Sequence, residues 1–395
     1  MHPGIRLLHG WALLLCLIAL ACAPSQAPAS PAAKPATSSP PSIGGSGGPS
    51  SPAAPAEWDR TLAAARQEGS VVVLGPPGDL IRKNVSESFR KAFPDIAIEW
   101  TGGRSTEHAT KLESQRRADV YSADIVIGGT STAHTQLLPM GALDPIKPVL
   151  MLPEVTDPQY WRDGRIEYSD DEGQYNVAFV YMSYPFIGYD QNQVKPEDID
   201  ELYDLLDPRW RGKIVINDPR VPGAGHSFFR WVWHVLGPEK AEEFFIGLRA
   251  QAGAVDRDQR RLMEWIARGR YAILPGPSSG ATMTELFDAG LTFGLSTQFK
   301  DYGGYTTASF GSLMLLNRPA HPNAAKVFVN WFLGRDGQTA YSTAMSEPSR
   351  RLDVPTDHVP DYAIPKPDGK YWPNYMAQNA VTPPDMERVL RNLFQ

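Results

Sequence analysis

The sequence predicts a protein of the α/β class, built from two lobes that a hinge connects. In residues 71–127, short strand-like runs alternate with amphipathic helical stretches, which is typical of βαβ units in a parallel sheet. The same alternation returns with different residues in 214–280. Two further strand-like runs, 177–187 and 312–316, have the position of crossings between the lobes. We therefore expect the chain to leave the first lobe once and return once, because paired crossings of this kind form a hinge.

The first lobe is predicted from three strands and the turns that follow them. Val71–Leu74, Ile96–Trp100 and Asp124–Ile127 are apolar, begin about 25 to 29 residues apart and are separated by helical stretches. Because the carboxyl ends of parallel strands meet at one edge of a sheet, ligands of such sheets bind there. The glycine-rich turns expected at this edge are Gly75–Asp79, Gly102–Ser105 and Gly128–Thr132.

The second lobe is predicted by the same reasoning. Ile214–Ile216, Ala254–Val255 and Ala272–Leu274 are expected strands, with glycine-rich turns after the first and the last of them. The aromatic helix Phe228–Leu236 is expected in the core. A helix opened by Pro322 is expected to pack back on the first lobe. Tandem lobes usually place a ligand site in the crevice between them.

The first 56 residues differ in composition from the rest of the chain. The only two cysteines of the sequence, Cys16 and Cys22, lie here, so no disulfide can brace the folded part. An apolar run ends in Ala-Leu-Ala-Cys22, which resembles the lipobox of bacterial lipoproteins and implies lipidation of Cys22; ordinary cleavage of a secretory signal is the alternative. The Ala, Pro, Ser and Gly that follow predict a disordered tether. The predicted organisation is a signal peptide in 1–21, a lipidated linker in 22–56, a first lobe in 57–180 and 305–395, and a second lobe in 181–304.

Composition and motifs argue against several classes of function. A net charge of −6 offers no broad basic surface, so we expect no nucleic-acid partner. The sequence lacks the GxSxG nucleophile elbow, the P-loop motif and the HExxH zinc motif, and Asp170-Asp171 lies in a polar turn. We therefore expect no catalytic residues and no cofactor. A secreted hydrolase and a lipid-anchored interaction protein remain as alternatives, but neither needs glycine-rich turns at the edges of two lobes.

The segment LDPRWRGKI at 206–214 is the most specific of six segments that resemble extracellular solute-binding proteins of ABC importers, in the iron(III)-binding branch. The resemblance spans residues 58–345. It implies the type II periplasmic binding protein fold and an extracytoplasmic monomer that delivers a captured solute to a permease and its ATPase. The other five segments are 71–78, 102–107, 123–129, 141–145 and 330–333.

The resemblance leaves the role of iron open. Many iron(III) binders of this family hold the metal with two adjacent tyrosines, and this sequence contains no Tyr-Tyr pair. Direct iron(III) binding is therefore the alternative to a small anionic solute or a ferric complex, which we expect as the cargo. If iron is bound directly, the candidate ligands are Tyr181, Tyr184, Tyr302 and Tyr305.

Several polar residues near the predicted turns are candidates for contact with the solute. Arg104 is expected at a helix start, where a guanidinium and free N–H groups would hold a carboxylate or phosphate, unless Arg104 only pairs with Glu107. Asp218 is expected to meet a cationic part of the solute or to cap a turn. Arg220 and Arg257 would add positive charge. The predicted solute-binding residues are Gly78, Arg104, Ser105, Ser131, Thr132, Tyr184, Asp218, Arg220, Ser278, Ser279 and Tyr305.

For the serine and threonine candidates, helix capping is an alternative to ligand binding. Ser131 and Thr132 follow Gly129 at a helix start, and Ser278 and Ser279 follow Pro277 in the same way. Serine and threonine are preferred N-cap residues whether or not a ligand is present. Both roles are therefore open for these four residues.

Overall fold

The computed structural model describes residues 53–221, 223–277 and 281–395. The predicted signal peptide, most of the predicted linker with Cys22, and the candidates Ser278 and Ser279 lie outside the described residues. In the described part the strands form three sheets, and two of these sheets carry one lobe each.

The first sheet has the parallel core that the sequence predicts. Its strand order is β2-β1-β3-β13-β4, and β5 also pairs with β13. The first three of these strands run parallel, whereas β13 is antiparallel to β3. The strands are β1 (Ser70–Gly75), β2 (Ala97–Gly102), β3 (Ile125–Gly128), β4 (Leu143–Asp144), β5 (Asn176–Ala178) and β13 (Ser312–Leu316).

The second sheet repeats this plan in the second lobe. Its order is β11-β7-β10-β8-β9, in which β8 runs parallel to β9 and β10, and β7 is antiparallel to β10 and β11. The three predicted strands of this lobe are thus confirmed. The strands are β7 (Ile187–Tyr189), β8 (Ile214–Asn217), β9 (Ala252–Asp256), β10 (Ile273–Pro275) and β11 (Gly294–Ser296).

A small third sheet joins the two stretches in which the chain passes between the lobes. The sequence predicted the return crossing at 312–316, but this stretch is β13 of the first sheet, so we call residues 304–309, which contain β12, the second crossing. Its order is β14-β12-β6, formed by Tyr371–Pro373, Gly304–Thr307 and Met182–Ser183. The sequence predicted one long strand over 177–187, but this stretch is divided among β5, β6 and β7, which belong to three different sheets. Pro185 lacks the N–H that a continuous ladder requires, so the strand breaks where the chain passes between lobes.

Helices cover both large sheets. Each parallel strand of the first lobe leads through a turn into a helix, as predicted: β1 into α2, β2 into α3, and β3 into α4. A π-helical turn, 133–137, continues α4. The helices are α1 (Ala53–Glu68), α2 (Asp79–Ala92), α3 (Ser105–Arg117), α4 (Thr130–Thr132), α5 (Pro153–Thr156), α6 (Ala224–Leu236), α7 (Pro238–Gln251), α8 (Gln259–Ala267), α9 (Ala281–Asp288), α10 (Pro322–Leu333), α11 (Arg335–Met345), α12 (Ala377–Ala380) and α13 (Pro384–Leu393).

Each large sheet is buried on both faces, because successive strand residues point to opposite sides. In β3, Ile125 and Ile127 enter one core cluster and Val126 enters another. In β8, Ile214 and Val215 divide in the same way. The apolar side chains of α10 and the aromatic residues of α6 are buried, as predicted: Ala324, Val327, Phe328, Trp331, Phe332, Phe228, Phe229, Trp231 and Trp233.

Two ends of the predicted organisation differ from the structure. Helix α1 begins at Ala53, four residues before the predicted start of the first lobe at 57. Helix α13 packs on α7, and its residues Met386, Val389 and Leu390 belong to the core of the second lobe, although 305–395 was assigned to the first. The amphipathic pattern of α13 requires an apolar partner, but the pattern alone does not say which lobe provides it.

Candidate functional site at the edges of the two sheets

Three glycine-rich turns of the first lobe lie side by side at the carboxyl edge of its sheet; we call residues 75–79, 102–105 and 128–132 the first-lobe edge. The amide of Gly103 donates to Gly75 O at 3.0 Å, and the amide of Gly129 donates to Ser105 Oγ at 2.8 Å. A Cβ atom on Gly128 would stand 2.8 Å from the same Oγ atom, so a larger residue there would displace the hydroxyl that joins the two turns. The predicted gathering of the turns is confirmed.

Arg104 lies at this edge with a free guanidinium. It is the N-cap residue of α3 and is exposed. The carboxylate of Glu107 accepts the backbone N–H of Arg104 at 2.9 Å, so it caps the helix start instead of pairing with the Arg104 side chain. Among the described residues the guanidinium has no ion-pair or hydrogen-bond partner. Gly78, with φ at 122°, precedes α2 in the neighbouring turn.

Of the other candidates at the first-lobe edge, some have structural contacts and one is exposed to solvent. Ser105 bridges two turns through its hydroxyl. The predicted capping role of Ser131 and Thr132 is wrong, because Gly129 is the N-cap residue of α4 and both side chains lie within the helix. The Thr132 side chain is buried, whereas Ser131 is exposed at the edge. Ser131 therefore remains available to a solute.

The second-lobe edge, residues 217–221 and 223–225 with Asp256, Arg257 and 275–277, carries a network of charges. Asp218 follows β8 and is only 2% exposed. Arg220 donates from Nε to Oδ1 at 2.9 Å and from Nη2 to Oδ2 at 2.8 Å, and its backbone N–H also reaches Oδ1. Arg257 donates from Nε to Oδ2 at 2.9 Å.

This network changes the predicted role of Asp218. Burial alone raises the pKa of its carboxyl group, but the hydrogen bonds from Arg220 and Arg257 outweigh burial and hold that pKa well below its usual range. Two guanidinium groups already satisfy the carboxylate, so pairing with a cationic part of the solute is not what the geometry favours. Asp218, Arg220 and Arg257 together carry one excess positive charge, while Asp256 of the same edge pairs with Arg261 at 3.0 Å. The side chain of Arg257 is 64% exposed.

The tyrosine candidates are spread over different environments. The ring of Tyr184 stacks on that of Tyr305 with centroids 5.5 Å apart and planes 14° apart. Tyr305 is 1% exposed within the second core, and burial raises the pKa of its hydroxyl well above the ordinary value. Such a shift disfavours the phenolate that an iron ligand requires. Tyr302 packs partly buried against the same core.

Tyr181 lines a cavity beside the hinge that sequence reasoning did not find. The guanidinium carbons of Arg162 and Arg350 lie 4.5 and 4.9 Å from the centre of its ring. The cavity has a volume of about 290 Å³, and Tyr371 and Tyr375 contribute to its wall. The sequence signal that could have indicated this cavity is the cluster of aromatic residues at 371–375, but these residues follow no helical or strand period.

A buried carboxyl group lies close to the second crossing. Glu347 is 5% exposed, accepts the Tyr341 hydroxyl at 3.2 Å and is also hydrogen-bonded by Ser309 of the crossing. Burial raises the pKa of Glu347 to about 7, and the two hydroxyl groups offset this only in part. Unlike Asp218, this carboxyl group pairs with no cation among the described residues.

Neither a metal-binding cluster nor a membrane-spanning helix occurs in the part of the chain that the structure describes. Residues 53–221, 223–277 and 281–395 contain no group of three or more His, Cys, Asp or Glu side chains arranged to hold a metal ion. None of the helices in these ranges has the length and apolar character needed to cross a bilayer.

One family profile matches most of the chain. The sequence profile of the family described as bacterial extracellular solute-binding protein matches residues 84–366, which is more than half of the chain. An uncharacterized protein of Haemophilus influenzae is 22% identical over 279 residues, covering 70% of this chain and 76% of that protein.

Solved structures share the fold. Iron-bound HitA of Pseudomonas aeruginosa superposes with a TM-score of 0.60 and 17% identity, covering 82% of this chain and 99% of HitA. The periplasmic binding protein AfuA of Actinobacillus pleuropneumoniae, with fructose 6-phosphate bound, gives a TM-score of 0.57 and 18% identity, covering 82% of this chain and 97% of AfuA. These two-lobed structures establish the predicted fold for this chain.

Proposed function

Because the chain belongs to the bacterial extracellular solute-binding proteins, the solute-capturing components of ABC importers, we propose that it holds a small anionic solute between its lobes, with Arg104 as the principal contact. The observation that carries this proposal is the guanidinium of Arg104, which lies among three glycine-rich turns and has no partner within the described ranges. Two of these turns open helices of 13 and 14 residues, whose N-termini favour negative charge. Gly78, Ser105 and Ser131 are the other proposed solute contacts at the first-lobe edge.

The charges of the second-lobe edge also support an anionic solute. The network at Asp218 carries two guanidinium groups for one carboxylate, and the Arg257 side chain reaches solvent. Tyr181 lies between the guanidinium groups of Arg162 and Arg350, and the nearby carboxylates of Asp163 and Glu167 are already paired with Arg350, which disfavours a bare ferric ion. Ser278 and Ser279 are proposed as further contacts of the same solute.

Relatives with this fold suggest two forms of the cargo. HitA binds iron, and AfuA binds a sugar phosphate, which is itself an anion. A ferric complex would satisfy both lines of argument, since its own oxygen atoms hold the metal while its negative charge meets Arg104. Direct coordination by tyrosine is less favoured, because Tyr305 is buried and the sequence has no adjacent tyrosine pair.

The test compares Arg104→Ala with Arg90→Ala. Arg90 is also exposed, but it lies in the last turn of α2, at the far end from the first-lobe edge. Phosphate, citrate, fructose 6-phosphate and ferric citrate are titrated in a calorimeter, after native mass spectrometry of any solute that co-purifies. We expect Arg104→Ala to weaken the bound anion by about 1.5 to 3 kcal/mol, or roughly 10- to 150-fold, and Arg90→Ala to leave it unchanged. Equal losses in both variants would refute the assignment.

Ferric chloride distinguishes the alternative of direct iron binding. If tyrosinate coordinates the metal, protein loaded with this salt becomes strongly coloured, and Tyr181→Phe removes the colour. We expect no colour with ferric chloride and binding only when iron is presented as its citrate complex.

We also propose that Cys22 anchors the protein to the outer side of a membrane, with the following Pro- and Ala-rich residues as a tether. The support is the Ala-Leu-Ala-Cys sequence and the composition after it. Mass spectrometry of the mature protein is expected to detect acyl chains on Cys22, and Cys22→Ala to leave the protein unprocessed. A chain that starts at Ala53, where α1 begins, is expected to fold as a monomer. Detection of an unmodified Cys22 in the native protein would exclude the anchor.

A further inference from the structure

A segment near the C-terminus touches both lobes, although it lies beyond the family match that ends at residue 366. We call residues 371–382, which contain β14 and α12, the C-terminal strap. Strand β14 pairs in parallel with β12, the strand of the second crossing. The amide of Asn374 extends this contact by donating to Thr306 O at 3.0 Å. The strap therefore starts at the hinge.

The strap is bound to the second lobe through α6. Arg230 is 9% exposed and donates from Nη1 to Ala380 O at 2.8 Å and from Nη2 to the side-chain oxygen of Asn374. His226, in the first turn of the same helix, is hydrogen-bonded to the Thr382 hydroxyl at 2.7 Å. Hydrogen bonds from a buried guanidinium are among the stronger ones in proteins.

Further contacts hold both ends of the strap on this lobe. At its start, the indole ring of Trp372 stacks on the imidazole of His234, with centroids 4.7 Å apart and planes 22° apart. At its end, the chain continues directly into α13, which is part of the second core. The strap is thus fastened to the second lobe at both of its ends.

The strap also contacts the first lobe, where Tyr375 is buried against Ala178 of β5 and its ring centre lies 5.7 Å from the guanidinium carbon of Arg350. The amide of Ala377 donates to Ser169 O at 2.8 Å. Nη1 of the buried Arg350 donates to the Tyr375 hydroxyl at 3.0 Å. Helix α12 also packs against α4 and the π-helical turn that follows it. Helix α4 includes Ser131 and Thr132, so the strap covers one part of the first-lobe edge.

We propose that the C-terminal strap is a gate of the solute site: it stays on the second lobe and separates from α4, Ser169 and Arg350 when the cleft opens. Separation on the first-lobe side breaks two hydrogen bonds, the contact of Arg350 with the Tyr375 ring and the packing of Tyr375 and α12. Release from the second lobe would break the hydrogen bonds of Arg230 and His226 and a ring stack, and would also have to displace α13 from the second core. The gate rests on the proposed function in one respect, since its purpose depends on a solute that binds at the first-lobe edge.

The first test uses the wild-type chain without solute. Hydrogen exchange is followed at the Ala377 amide, which faces the first lobe, and at the amides of α13. If the strap opens on the first-lobe side, the Ala377 amide exchanges at least about tenfold faster than those of α13. Equal protection at both places would overturn the gate, because the strap would then open only together with the second lobe.

The second test measures the distance between the lobes directly. A chain that starts at Ala53 contains no native cysteine, because both cysteines of the sequence lie before that residue. Lys83→Cys on α2 and Lys240→Cys on α7, which replace exposed residues, therefore give one labelling site on each lobe. Tyr375→Phe removes the acceptor of the Arg350 bond, and Tyr203→Phe, on the second lobe at 45% exposure, is the matched control. With spin labels on these two cysteines, pulsed electron–electron double resonance measures the distance between the lobes. We expect Tyr375→Phe to raise the population of longer distances at least about threefold.

The results separate the gate from the proposed function. Identical distance distributions for Tyr375→Phe and Tyr203→Phe would refute the gate even if the wild-type protein binds citrate or a sugar phosphate. A shifted distribution for Tyr375→Phe supports the gate, and titration of the wild-type protein with those anions then decides the proposed function on its own.

Discussion

Asp218, at the second-lobe edge, and Glu347, beside the second crossing, are both almost fully buried, yet their pKa values shift in opposite directions. Two guanidinium groups hold the pKa of Asp218 well below its usual range. Hydroxyl groups are the partners of Glu347, and burial raises its pKa to about 7. The difference shows that burial does not decide the charge of a carboxyl group. The nearest partner decides whether the carboxyl group is charged, because a cation compensates for the lost hydration of the carboxylate and a hydroxyl group compensates for only part of it.

The comparison also explains which arginines remain for a solute. Arg220 is held by Asp218 through side chain and backbone, whereas Arg104 has no such partner in the described part of the chain. The second-lobe edge is therefore stabilised by its own charges, and the first-lobe edge keeps a charge for the ligand. The following changes test this division, from the largest expected effect to the smallest.

Glu347→Gln is expected to change how stability depends on pH. The pKa in the folded protein, about 7, lies above the ordinary value of 4.5, so the folded state binds the proton more tightly and the protein loses stability as the pH rises from 4.5 to 7. Between pH 5 and pH 9 the wild-type protein should lose about 2.5 kcal/mol more than the variant, most of it below pH 7. Urea unfolding at a series of pH values measures this gap. Parallel curves for the two proteins would show that Glu347 is not protonated near neutral pH.

Asp218→Asn is expected to destabilise the second lobe by about 2 to 3 kcal/mol at pH 7, because charge-assisted hydrogen bonds to a buried carboxylate are lost. The depressed pKa means that this contribution is present above about pH 4 and is lost only in stronger acid. Asp79→Asn is the control, since Asp79 forms an ion pair with Arg82 at 95% exposure. There we expect a change below about 1 kcal/mol. Similar urea midpoints for both variants would contradict the stabilising role of the network.

Arg257→Ala is expected to have the smallest effect, below about 1 kcal/mol, because its side chain is 64% exposed and gives one hydrogen bond to Asp218. Arg220→Ala removes two side-chain bonds at 30% exposure and should cost more. Thermal unfolding of both variants at pH 7 ranks them. A larger loss for Arg257→Ala would show that the outer guanidinium, and not Arg220, carries the network.

Much of the fold and part of the site could be predicted from local patterns. The strands of both lobes and the helix opened by Pro322 occur where apolar periodicity and Pro or Gly positions predicted them. The three turns of the first-lobe edge could be placed together because parallel strands end at one edge. Arg104 could be chosen because it belongs to one of those turns, next to two glycines.

Other residues were misjudged because their surroundings come from distant parts of the chain. Asp218 and Arg257 are 39 positions apart, and Tyr305 meets Tyr184 from the opposite crossing. The second-core position of α13 was equally invisible, since its apolar face fits any complementary surface.

The sequence by itself determined the α/β class, the two lobes and the glycine-rich edge, because backbone periodicity and turn chemistry depend on neighbours within a few residues. Only the tertiary structure decided which charges neutralise each other, which tyrosine is buried and that the C-terminal strap joins the lobes. These outcomes depend on which residues meet after folding, and burial and hydrogen bonding at such contacts change the free energy of a charge by several kcal/mol without leaving a trace in sequence spacing.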